Sequence, residues 1–277
     1  MLHVIYLAHT DPRFLRQARY SILSLMAYLP PFGADYRLTV FTDAPEWFVD
    51  LGAEIEPMDA ARIAAFRGPD DFVHRMKIMA LKTVMDQYEG AALLVDSDNL
   101  VYADPLPLLA QLQNGHFLLN QIEEHLDQPQ SPLGRKYRRF FRQHPQIPTP
   151  AGPLIVPDDL ALWNAGIVGI PAGKGHLLEQ VLAVCDYLYH HYPKHIAEQV
   201  AFNLVLGQNG DILAGEGCFY HWFGHGQAIN RLIESVFAQV EGQPVAAQIA
   251  AVAASREATL SAPLNPKKRR RWYQRLF

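Results

Sequence analysis

The sequence predicts an α/β protein in which a mostly parallel sheet is flanked by helices, and three observations carry that expectation. Buried-strand runs recur at HVIYLAH (3–9), YRLTVFT (36–42) and AALLV (91–95). Between them, RFLRQARYSILSLMAYL (13–29) and FVHRMKIMALKTVMDQY (72–88) carry apolar residues at helical spacing. Strands alternating with helices need crossover connections, which favour parallel pairing with helices on both faces.

The elements follow in order. In the first helix the apolar stripe runs through Phe14, Ala18, Ile22, Leu25 and Leu29, and Pro30-Pro31 ends it. AEIEPM (53–58) reads as a further strand, and Gly90 stops the second helix ahead of AALLV. Asp104, directly before Pro105 and LPLLAQL, fits a helix N-cap with proline in the first turn, a structural role. HFLLNQIEE adds a strand. Residues 128–157 are proline-rich, an insertion of the kind that forms a functional loop or a mobile segment. WNAGIVGI (163–170) is the next strand, and helices at 176–192 and 195–206 are separated at Pro193. A QNGD turn, a short CFYHWFGHG segment and two helices near 230–240 and 244–260 lead into the tail. We expect one catalytic domain over residues 1–260, with 261–277 as linker and tail.

Apolar residues make up 49% and charged residues 19%, an ordinary globular balance. No run approaches the roughly 20 apolar residues of a membrane-spanning helix. MLHVIYLAHTD enters a strand without a basic leader, and two cysteines cannot form a disulfide framework, so a cytoplasmic protein is expected. Net charge is −4, yet KKRRRWYQRLF at the end holds six cations and no acid, which leaves the body at −10. A basic tail with Trp272, Tyr273, Leu276 and Phe277 predicts attachment to an anionic membrane surface, while the acidic body argues against nucleic acid.

The chemistry centres on VDSDN. Asp96 and Asp98 leave the carboxyl end of a buried strand, where α/β proteins bind ligands, and alternation points both the same way. Two converging carboxylates call for a cation, and hard oxygen ligands suit Mg²⁺ or Mn²⁺ shared with substrate phosphates.

LLVDSDNLVYADPLPLL resembles the metal-binding segment of GT-A-fold nucleotide-sugar glycosyltransferases, the family 8 type in particular. AHTDPRFLRQARYSILSLM, WNAGIVGI, EQVAFN and HWFGHGQ resemble four further motifs of that family in the same order, over roughly residues 1–230. The resemblance implies a GT-A (Rossmann-like) sheet and transfer of a sugar, with retention, from a nucleotide-diphosphate donor of the UDP type to a glycan or lipid-linked acceptor. It implies Asp96, Asp98 and His221 as ligands of Mn²⁺ (or Mg²⁺), with imidazole favouring Mn²⁺. It implies His9, Thr10, Asp11, Ser97, Asn164, Gly166, Gly224 and Gln227 as donor contacts, and Glu198 and Gln199 beside the reacting carbon. Two departures stand out. Gln227 replaces a lysine that would pair with the diphosphate, and Glu198 replaces an aspartate. Arg75 and Lys77 are the cations nearest the expected edge. The basic, aromatic GRKYRRFFRQ of the insertion is either a surface helix or a lid over the acceptor, and a source of the charge that Gln227 lacks.

Other constellations weigh less. His225 is a less well-placed ligand than His221, and Pro193 interrupts the helix that would align His191, His195 and Glu198. D-x-D also occurs in haloacid-dehalogenase-type Mg²⁺ phosphatases, but there it normally lies on the first core strand, and here three strands precede it. The departures also leave open a non-catalytic sugar-nucleotide-binding protein. The lack of G-x-G-x-x-G after the first strand argues against a Rossmann dehydrogenase.

Overall fold

The structure, a computed structural model, describes residues 1–29, 35–223 and 225–263. Strand β1 (Leu2–Leu7) leads to α1 (Pro12–Met26), which starts where the Asp11 carboxylate accepts the Arg13 N–H and proline occupies the first turn. Then come β2 (Tyr36–Thr42), two short 3-10 turns, β3 (Glu54–Pro57), α2 (Ala60–Arg67) and α3 (Arg75–Gln87). β4 (Ala91–Val95), β5 (Asn99–Val101), α4 (Leu106–Gln113), β6 (Phe117–Leu119) and β7 (Ile122–His125) follow. The insertion holds α5 (Pro132–Gln143), β8 (Gln146–Ile147) and β9 (Leu154–Ile155), ahead of β10 (Ala161–Trp163) and β11 (Ile167–Ile170). The chain continues through α6 (Leu177–His191), α7 (Ala197–Gly207), β12 (Ile212–Ala214), β13 (Phe219–His221), α8 (Gly226–Gln239), α9 (Val245–Ala254) and α10 (Arg256–Leu260).

Seven strands form the central sheet in the order β12-β6-β11-β4-β1-β2-β3. β1 is parallel to both β2 and β4, and β3 to β2, as the alternating pattern predicts. β11 is the exception, running antiparallel to β4 and β6. Both faces are covered. Leu94 is buried with Ile78 and Leu81 of α3 and with the apolar residues of α6 and α7. Leu93 and Val95, one residue to either side, are buried with Ile22 of α1 and Ile229 of α8.

Some expectations are corrected. Phe14 does not join the buried stripe of α1 and is 46% exposed. WNAGIVGI is two strands rather than one. The Asn164 side-chain oxygen accepts the Gly166 N–H at 2.8 Å, replacing a ladder partner, so Asn164–Gly166 breaks the run and β10 pairs with β7 instead. The proline-rich insertion is folded: Ser131 caps α5 through the Gly134 N–H, and β8 pairs with β9. The expected 244–260 helix is divided at Ser255 into α9 and α10. Asp104 does act structurally, its carboxylate accepting the Leu106 N–H at 2.9 Å. Pro30-Pro31 and residues 264–277 of the tail lie outside the described residues. Among the described residues no helix is long and apolar enough to cross a membrane.

Candidate active site

The antiparallel strand β11 builds the site. Its first residues lie at the carboxyl end of β4, where the Asp96 N–H donates to the Gly166 carbonyl at 2.8 Å. The ribbon β5–β13 brings in the third group, since its register sets His221 opposite Asn99. Residues more than a hundred positions apart in the chain thus converge beyond one strand end. Single ligand atoms of Asp96, Asp98 and His221 all lie within 4.8 Å of one another, the one such group found among the described residues.

Each member of the group is held. Lys77 Nζ donates to Asp96 Oδ2 at 2.7 Å and lies 3.4 Å from both Glu198 Oε1 and the Ala165 carbonyl. His221 Nε2 is 3.1 Å from Asp98 Oδ1 and 4.0 Å from Asp96 Oδ2. On the other side of the ring, Nδ1 is 2.8 Å from Asn164 Oδ1. That oxygen already accepts the Gly166 N–H, and the Asn164 amide nitrogen donates to Glu123, so it can only accept from His221. Nδ1 therefore carries a proton, and Nε2 faces the two aspartates, donating to Asp98 when the ring is charged and offering a lone pair to a cation when it is neutral.

The electrostatics separate the two aspartates. Burial acts most strongly on Asp96 and lifts its pKa, against the opposing pull of Lys77 and His221. Burial pushes Asp98 the same way, but His221 in direct contact, aided by Lys77, outweighs it and holds that carboxyl below its usual range. Burial likewise opposes charge on His221 and on Lys77, and the surrounding carboxylates overcome it in both. Half-buried His74, on the turn before Lys77, has its pKa depressed mainly by desolvation.

The donor set fits a divalent cation. Three carboxylates (Asp96, Asp98, Glu198) and one ammonium leave two negative charges when His221 is neutral, and the imidazole lone pair faces carboxylate oxygen. Without a proton or a metal between them, those lone pairs repel.

A cavity of about 970 Å³ opens beside this floor. It is lined by the ligand group with Ser97, by Lys77 and Asn164, by Glu198 and Gln199, and by the loop His9, Thr10 and Asp11. Thr10 is held at φ +70°, in the left-handed region that β-branched residues avoid, and its N–H donates to both carboxylate oxygens of Asp43. Asp11 is engaged as the α1 cap and gripped by Arg13 at 2.6 Å, which lowers its pKa. Four of the exposed large apolar residues, Phe14, Val73, Ile122 and Phe223, rim this cavity.

Other expected residues fall elsewhere. Arg75 is two residues from Lys77 on α3 and so points away, to Asp186 at 2.7 Å and to the Ala65 and Phe66 carbonyls. Gly166 makes room for a side chain instead of a ligand, because a Cβ there would lie 2.6 Å from His221 Nδ1. Gln227 is exposed on the first turn of α8, outside the cavity lining. Gly224 lies outside the described residues. The Glu198 carboxylate is buried in the cavity wall, with Oε1 toward Lys77 and Oε2 without a hydrogen-bond partner. His225 bonds the Ala262 carbonyl through Nδ1. The α5 cations do not line the cavity; Lys77 and Arg67 are the lysine and arginine that do.

Sequence reasoning missed Glu123. Its two oxygens accept from the Asn164 amide at 3.1 Å and the Gln199 amide at 3.0 Å, tying β7, the β10–β11 link and α7 together. No local pattern marks it, since HFLLNQIEE reads as one strand and its partners are 41 and 76 residues away.

No protein-family model and no curated protein matches the sequence. Solved structures similar to the chain are glycosyltransferases. The galactosyltransferase LgtC in complex with donor and acceptor sugar analogs is 14% identical, with a TM-score of 0.48, covering 76% of this chain and 72% of that one. Mouse xyloside xylosyltransferase 1 in its apo form is 13% identical at a TM-score of 0.47, covering 77% and 84%. The bifunctional glycosyltransferase WbbM is 14% identical at 0.47, covering 76% of this chain but only 38% of that one.

Proposed function

We propose that the protein is a metal-dependent glycosyltransferase that moves a sugar from a nucleotide-diphosphate donor of the UDP type to a glycan or lipid-linked acceptor. One observation carries the reading: Asp96, Asp98 and His221 offer atoms within 4.8 Å of one another on the floor of a cavity of about 970 Å³, large enough for a ligand of that size. These three residues would hold Mn²⁺ or Mg²⁺. Bound there, the cation supplies Lewis acidity that steadies negative charge on the departing nucleotide diphosphate.

The chain's own groups have separate tasks in this reading. Asn164 fixes the His221 tautomer from behind, so that Nε2 is the available ligand atom. Lys77 offsets Asp96 and Glu198 and sets the charge of the floor to match a divalent cation. Gln199 and Glu123, linked by their own hydrogen bond, are the polar pair suited to sugar hydroxyls. The His9–Thr10–Asp11 loop, fixed by Asp43, forms the end of the cavity for the nucleotide. With Gln227 outside the lining, Arg67 and Lys77 are the cations that the phosphates would meet. Retention of configuration rests on the family resemblance. The phosphatase reading fits less well, because Asp96, which would have to be the nucleophile, already has Oδ2 held by Lys77.

The test is a thermal-shift series with nucleotide sugars. A UDP-sugar should raise Tm only when Mn²⁺ is present. A shift of equal size without metal, or full turnover in Asp98→Asn, would refute the assignment.

A further inference from the structure

The function above does not absorb α5. Five of its twelve residues are basic, and they are not spread around the helix. Arg135, Arg139 and Arg142, at i, i+4 and i+7, form one exposed ridge flanked by Lys136 and half-buried Arg138. The opposite side, Tyr137, Phe140 and Phe141, is buried in the core. Among the described residues none of these five cations takes part in an ion pair, and Arg135 donates only to the Gln130 carbonyl. The ridge stands on a chain whose body is otherwise acidic, since net charge is −4 with six of the positives in the last eleven residues. The same helix also reaches the candidate site: Gln130, Ser131 and Leu133 at its start line the cavity.

We infer that the outer ridge of α5 rests on an anionic lipid surface, with the cavity mouth beside it. The ridge is convex, about 10 Å from Arg135 to Arg142, and its cations diverge. A single phosphate needs convergent donors, whereas an anionic plane can be met by a row of them. A plane meets such a row along its length, while Asp127 and Asp158 share a hollow with Arg138 and Arg142 beside it. A nucleic-acid strand would follow more of the surface and meet that acid. The lipid contact stands apart from the sugar-transfer reading. Its consequence for that reading is that the acceptor is borne by the membrane and enters from the α5 side.

The test is co-sedimentation of the full chain with phosphatidylcholine vesicles with and without phosphatidylglycerol, at low and high salt. The variants are Arg135→Gln/Arg139→Gln/Arg142→Gln and, separately, Gln at Lys267, Lys268, Arg269, Arg270 and Arg271. Each ridge charge should be worth about fivefold in binding, so the triple variant should lose about a hundredfold on phosphatidylglycerol vesicles while the tail is intact. It should keep wild-type Tm and the metal-dependent UDP shift, so a failure here is distinct from a failure of the sugar-transfer reading. Should the triple variant melt early, Arg139→Gln alone should show the fivefold loss, and a triple Arg→Lys variant should retain binding. The inference is overturned if the ridge variants bind vesicles as the wild type does and only the tail variant fails. It is equally overturned if the ridge variants lose binding to inorganic phosphate or to RNA while vesicle binding is unchanged.

Discussion

The floor of the cavity and the outer ridge of α5 both gather like charges, and the fold treats them in opposite ways. On the floor, Glu198 is buried and Asp96 and Asp98 are half-buried, and Lys77 and His221 are brought in at 2.7 and 3.1 Å to offset them. On the ridge, exposed cations form no ion pair among the described residues, although Asp127 and Asp158 share a hollow with Arg138 and Arg142. A buried charge without a partner costs several kcal/mol, so the floor's pairings are a condition of folding. An exposed charge costs almost nothing, so the fold places no constraint on the ridge. The lesson is that the floor's residues carry structural and chemical roles at once, while the ridge can be changed without disturbing either.

The sharpest way to break this contrast is Lys77→Met. It strands Asp96 and Glu198 and should cost about 3–5 kcal/mol of stability in denaturant titration. A loss below about 1 kcal/mol would mean that the floor is wetter than its burial implies. Next, Asp98→Asn should reduce sugar transfer by a hundredfold to a thousandfold or more, about 3–4 kcal/mol in the barrier, with the fold retained on circular dichroism. Gly166→Ala is smaller: its methyl displaces His221 and should weaken Mn²⁺ binding about tenfold to a hundredfold by calorimetry, with Asp96 and Asp98 untouched. Thr10→Gly removes the φ +70° strain and should raise stability by about 1 kcal/mol. At the small end, Tyr137→Phe removes a buried hydroxyl that has no hydrogen-bond partner, and stability should hold or rise by no more than about 1 kcal/mol.

The parallel half of the sheet was legible because its strands are continuous apolar runs separated by periodic helices, and β2 and β4 have the bounds read from sequence. The short elements were not. β5 and β13 are three residues each, too brief for a period, yet they bring His221 to the aspartates. The break in WNAGIVGI depends on a side chain replacing a backbone partner, which a pattern of apolar residues does not record. Within the site, Asp96, Asp98 and His221 could be read from motif spacing. The choice between Lys77 and Arg75 could not, because it turns on the rotation of α3 about its axis. Glu123 was invisible because its significance lies wholly in contacts between distant segments.

The Gly166 carbonyl accepts from the Asp96 amide at 2.8 Å and from the Asn99 side chain at 2.9 Å, both on the ligand loop. That pinning fixes how the loop should behave in deuterium exchange: the Asp96 amide should be among the slow ones, and adding Mn²⁺ should hardly change it. A loop clamped beforehand spends little conformational entropy on capturing an ion, so affinity is set by the donor atoms and not by a rearrangement of the chain.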